Sequence, residues 1–165
     1  MVTKAFQECL IDVYRGEIAG EAAFGGMLGV AEGAEQKYVL GSLFQFETEG
    51  KAIIRPLLAR LALSMLEDPA GRNAGAAGGA QLSALPWVER FAALGELVKT
   101  NYLPRYLELA TLVSPQEDPE AARVANFMAT HERTLVAVSA SIVSGAADPI
   151  APLAALLHFP LPRPA

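Results

Sequence analysis

Five side chains able to ligate a metal fall where long apolar helices should have uninterrupted stripes or inward faces: Glu17, Glu21, Glu47, Glu96 and His131. Burying an ionised carboxylate without a partner is costly, so such a group must be paired, neutralised or metal-bound. Carboxylate and imidazole donors together suit one iron, manganese or zinc ion. The same residues also allow a solution in charge alone. Lys51 lies one helical turn from Glu47, Glu132 is beside His131, and Arg15, Arg55, Arg105 or Lys99 could pair with the acids. Tyr102 and Tyr106 read as core or interface residues, with Tyr102 able to stand beside a metal. Glu49 falls off the stripe and reads as solvated.

The elements that must position these groups are four long helices. The first runs from the N-cap Thr3 to about Ala31, with the stripe Phe6, Leu10, Val13, Gly20, Phe24 and Met27, and Glu17 at the missing step. The second runs from about Gln36 to Met65 through Leu43, Gly50, Ile54, Leu57 and Leu61, with Glu47 at its centre; Pro56 should bend or break it near Ile54. The third starts near Ser83–Pro86 and reaches about Val113, kinked at Pro104. It carries Phe91, Val98, Tyr102 and Leu109 on one face and Glu89 and Glu96 along a stripe of small residues. The fourth starts at the N-cap Asp118 and Pro119 and ends near Ser144–Gly145, with His131 in the stripe Val124, Met128, Leu135, Val138 and Ile142. Glu67 to Ala84 is Gly/Ala-rich without periodicity and reads as a long flexible crossover. A short helix near Ala151–Leu157 precedes an extended Pro-rich tail.

This pattern resembles the ferritin-like superfamily: "YRGEIAGEAAF", "FETEGK" and "THERTL" are similar to its carboxylate-bearing helix segments. The resemblance implies an all-α, ferritin-like four-helix bundle with a long crossover between the second and third helices, in one domain with its core over about 3–145. In di-iron members two helices give one Glu each and two give Glu-x-x-His. Here each motif is half present, as Glu47-x-x-Gly50 and Met128-x-x-His131, and the only other histidine, His158, is in the tail. The expectation is a degenerate site that is empty or holds a single metal. A metal-dependent oxidase and a structural module are the alternatives. Long kinked helices also leave a haem-oxygenase-like packing open.

Composition sets the remaining bounds. A net charge of −5 argues against nucleic acid and anionic membranes as partners. No apolar run is long enough to span a bilayer. The single Cys9 suits a reducing cytoplasm and excludes an internal disulfide. At 52% hydrophobic residues, the chain has an apolar surplus that fits a large core plus a homodimer interface.

Overall fold

The computed structural model describes residues 2–164. Among them there is no strand: the order is α1 (Lys4–Gly29), α2 (Gly33–Arg60), α3 (Pro69–Ser83), α4 (Trp87–Leu97), a π-helical turn (Val98–Tyr102), α5 (Leu103–Thr111), α6 (Pro119–Val143) and α7 (Ala151–Ala154). Among the described residues, no helix is long and apolar enough to cross a membrane. Helix α1 packs on α2, α3 and α5, while α6 packs on α2, α4, α5 and α7.

The helix starts follow local chemistry. Thr3 accepts the Phe6 N–H at 3.2 Å and Asp118 accepts that of Ala121 at 3.0 Å, each satisfying a donor that a first turn leaves free. Asp118 also takes both its oxygens to Arg60 Nη2, at 2.9 and 2.8 Å, which ties the end of α2 to the start of α6. Helix α2 runs through Pro56 unbroken. The carbonyl that loses its partner belongs to Ala52, which is exposed and open to water. On the third long helix, Pro104 cannot donate to Thr100. The π turn accommodates this, with the Leu103 N–H reaching back to Val98 O.

The segment read as a flexible crossover is instead helical. Asp68 caps α3 by accepting the Ala70 N–H at 3.0 Å. A Cβ at Gly75 or Gly79 would run into the backbone of Ala19 or Ala23, so these glycines let α3 lie directly on α1. The tail is also held. Ile150, Leu153 and Leu157 join an apolar cluster, and Glu49, expected in solvent, is buried and binds the tail. Its carboxylate accepts the backbone N–H groups of His158 and Phe159 at 2.6 and 2.9 Å. Burial alone would raise the Glu49 pKa, but those bonds and the Gln45 amide hold it below the ordinary value.

The apolar interior divides into two clusters. One gathers Phe6, Leu10, Val13, Ile54, Leu57, Leu109 and Met128. The other gathers Phe24, Leu40, Leu43, Phe46, Phe91, Leu135 and Val138. On α1, α2 and α6, the positions between them carry Glu17, Glu21, Glu47, Lys51, His131 and Glu132, all buried. The fold therefore has a polar layer across its middle.

Candidate metal centre

Two distinct clusters occupy this layer. The first is ionic and lies on the Lys51 side. Lys51 Nζ donates to Glu21 Oε2 at 2.6 Å and to Glu67 Oε1 at 2.5 Å. Arg72 stands 3.4 Å from both acids and Arg55 donates to Glu67 at 3.0 Å. Thr48 donates to the other Glu21 oxygen at 2.6 Å. The Lys51 hydrogen bond, with the arginines beside it, holds the Glu67 pKa below the ordinary value against a partial burial cost. Lys51 is thus the counter-charge of Glu21 and Glu67, not of Glu47. Glu21 is fully engaged and has no oxygen left for a metal. Glu67, Arg72 and Thr48 were not singled out in the sequence, because the first two sit in or beside the stretch read as a loop.

The second cluster lacks cations. Glu17, His131 and Glu132 each bring one ligand atom to within 4.8 Å of the others, and all three side chains are buried. Donors about 2.0–2.2 Å from a shared ion stand at most about 4.4 Å apart, so the three would draw slightly inward to share one. Glu17 is placed by Tyr106, whose hydroxyl donates to Oε1 at 2.7 Å. Its Oε2 is 3.5 Å from His131 Nε2 and has no hydrogen bond. His131 Nε2 lies 3.2 Å from the Phe46 carbonyl, which can only accept. This bond puts the ring proton on Nε2 and leaves the Nδ1 lone pair free. Nδ1 has no partner and lies 4.0 Å from Glu132 Oε2. The ring is further fixed by stacking on Phe46, with centroids 3.7 Å apart and planes within 6°. A backbone carbonyl that orients an imidazole in this way is the usual support of a metal-ligating histidine.

Glu47 borders this cluster. It is buried, makes no hydrogen bond to another side chain, and its Oε1 is unpartnered. Glycines opposite the polar groups supply the space they fill. A Cβ at Gly16 would overlap the Tyr106 hydroxyl, one at Gly20 the Glu47 carboxyl, and one at Gly50 the Glu17 carboxyl. A Cβ at Gly50 would also lie 3.1 Å from His131 Nε2. Gly50, where the resemblance implies a second histidine, does face the site, but Glu17 fills the room that an imidazole would need.

Electrostatics separate the two clusters as clearly as geometry does. Burial pushes Glu132 up to about 8. Burial, reinforced by the neighbouring acids, raises Glu17 and Glu47 well above the carboxylate range. Burial also lowers His131 to about 4, despite the Phe46 bond that opposes it. At neutral pH without a cation, Glu132 is therefore mostly protonated and the imidazole is neutral. An added dication offsets these costs at once.

The remaining candidates do not join. Glu96 is a solvent-exposed residue 3.8 Å from Lys99. Tyr102 carries no metal-directed hydrogen bond, but it lines a cavity bordered by Glu47 and Glu132. Of the expected ligands, Glu17 and His131 meet, Glu47 stands at the edge, and Glu132, expected only beside the ligands, is one of the three. Comparisons with protein-family models, with curated proteins and with solved structures find no match to this chain.

Proposed function

We propose that this chain is a ferritin-like helical protein that binds one divalent transition-metal ion through Glu17, His131 and Glu132, with Glu47 adjacent. The observation that carries it is the convergence of three buried donors, two of which present atoms with no hydrogen-bond partner. The donor set, two carboxylates and one imidazole, fits iron, manganese or zinc. Three protein ligands leave coordination positions for a small molecule, and a bound ion would supply Lewis-acid chemistry, or electron transfer if it is iron. Tyr106 holds Glu17 and the Phe46 carbonyl orients His131. A polar layer mid-way along three helices, with apolar layers on either side, is the feature that favours the ferritin-like reading over a purely structural bundle. The crowding at Gly50 favours one ion over two.

The test is direct. Chelator-treated protein is incubated with manganese, iron(II) or zinc, desalted and analysed for metal. We expect about one equivalent of at least one ion, accompanied by proton release, because ligand carboxyls must deprotonate. Glu132→Gln and His131→Ala should each abolish the uptake. Less than about a tenth of an equivalent for every ion, or full uptake by both variants, would overturn the reading.

A further inference from the structure

A cavity of about 90 Å³ lies between α1, α3 and the run from α4 to α5. Phe24, Leu82, Leu94, Leu97, Val98 and Leu135 give it apolar walls. Phe24 is 1% exposed and Leu97 38%, so these walls run from the interior to the surface. Tyr102, Tyr106, Gly16, Ala19 and Ala74 line both this cavity and a surface depression of about 320 Å³, which forms its mouth. Val98 and Tyr102, the first and last residues of the π turn, both line it. Such turns recur at functional sites. At its inner end the cavity meets the metal layer. Of the three converging donors, Glu17 and His131 are fully enclosed and do not line it, whereas Glu132 keeps 3% exposure and does.

We propose that this cavity is the substrate compartment of the metal centre, and that it takes an unbranched aliphatic chain with its inner end beside Glu132. The role beside an ion rests on the metal reading; the ligand class rests on the walls and volume alone. A chain fits where a ring does not. A cavity of about 150 Å³ takes a benzene ring, so one of about 90 Å³ takes roughly four heavy atoms. Apolar walls return nothing to a charged or strongly hydrated molecule for the water it loses. Each methylene that leaves water for such walls gains about fourfold in affinity. Glu132 is the one ligand on this wall, so a chain that fills the cavity comes to rest against the metal layer on the side where a ligand is accessible.

The experiment uses the full-length protein with propane, n-butane, n-pentane and benzene as probes. Binding to metal-free protein is followed by amide chemical shifts at Val98 and Leu135, which line the cavity. We expect saturable binding, about fourfold tighter for n-butane than for propane, and tighter for n-pentane than for benzene. Gly78 lines the cavity, and a Cβ there meets nothing within 4 Å, so Gly78→Leu adds a side chain to open space without disturbing α3. It should weaken n-pentane, whereas Leu94→Ala, which widens the cavity, should reverse the order in favour of benzene. The place beside the ion is read separately, from the relaxation of n-pentane protons. At equal ion content they should relax faster in manganese-loaded than in zinc-loaded protein. Uptake is measured on the same samples: protein that takes up neither ion loses the metal reading while still binding the chain. Absence of saturable pentane binding, benzene tighter than pentane in the wild type, affinities unchanged by both variants, or equal relaxation with the two ions bound would each overturn the proposal.

Discussion

Metal-free protein should lose stability as pH rises from about 6.5 to 8, and Glu132→Gln should remove much of that loss. Burial takes the Glu132 carboxyl from the ordinary 4.5 to about 8. A carboxyl that holds its proton more tightly when folded contributes stability that is full below the unfolded pKa and lost as pH climbs to the folded one. Each pH unit in that window is worth about 1.4 kcal/mol, or near 5 kcal/mol across the whole of it. His131 works the other way. Its folded pKa of about 4, against an ordinary 6.5, means that stability is lost as pH falls between those values. The two slopes oppose each other below 6.5, which leaves 6.5 to 8 as the clean interval, worth about 2 kcal/mol from Glu132 alone.

The groups whose pKa is lowered, and Cys9, act outside this window. Glu49, Glu67 and Asp118 are lowered, so their contributions are complete well below it. Cys9, pushed by burial from 9.0 to about 11, acts above it. Glu17 and Glu47, raised in the same sense as Glu132, steepen the wild-type slope. The assay is urea unfolding at fixed ionic strength from pH 6 to 8.5 with chelator present. The Glu132→Gln curve should be flatter by about 1.4 kcal/mol per pH unit, and parallel curves would refute the assignment of a buried, uncompensated acid. With an ion bound, the sign should reverse, because metal competes with those same protons.

Three further outcomes follow from named contacts. Lys51→Met leaves Glu21 buried without its 2.6 Å partner and should cost about 3–5 kcal/mol in chemical denaturation, with Lys51→Arg costing less. Glu49→Ala removes the acceptor of the His158 and Phe159 amides; their hydrogen exchange should accelerate at least tenfold, consistent with about 1–2 kcal/mol per lost charge-assisted bond, while core amides stay protected. Gly50→Ala drives a methyl into the Glu17 carboxyl, and overpacking of about 1–3 kcal/mol should outweigh the roughly 1 kcal/mol gained in helix propensity. Metal uptake should fall with it; a more stable Gly50→Ala with full uptake would show that the carboxyl has somewhere else to go.

What could be read from the sequence depended on whether burial left a periodic trace. Glu17, Glu47 and His131 interrupt long apolar stripes, and each is buried at the level those interruptions marked. Glu96 was inferred from a stripe of small residues on the third helix. There the small residues mark the outer face: Ala92 and Thr100 are exposed, and the buried face is the larger set Phe91, Leu94 and Val98. Helix α3 left no apolar period because it packs through Gly75 and Gly79, backbone against backbone. Glu49 was misjudged because its partners are main-chain N–H groups more than a hundred residues away.

Gly50 joins these observations. In the sequence it marks the place where a second ligand histidine is missing. In the fold the same atom-sized gap is what admits Glu17 between α1 and α2, within 3.5 Å of His131. Gly20 does the same for Glu47, and Gly16 for Tyr106. A site merely decaying from a fuller ligand set would be expected to fill with apolar side chains, since replacing buried charge by hydrophobic volume is often neutral or stabilising. Here three glycines instead keep space for acids and a phenol whose ionisation the surroundings oppose. That combination of reserved volume and unpartnered oxygens is the ground on which we propose a cation site there, with the raised carboxyl pKa values setting the protons that a bound ion would have to displace.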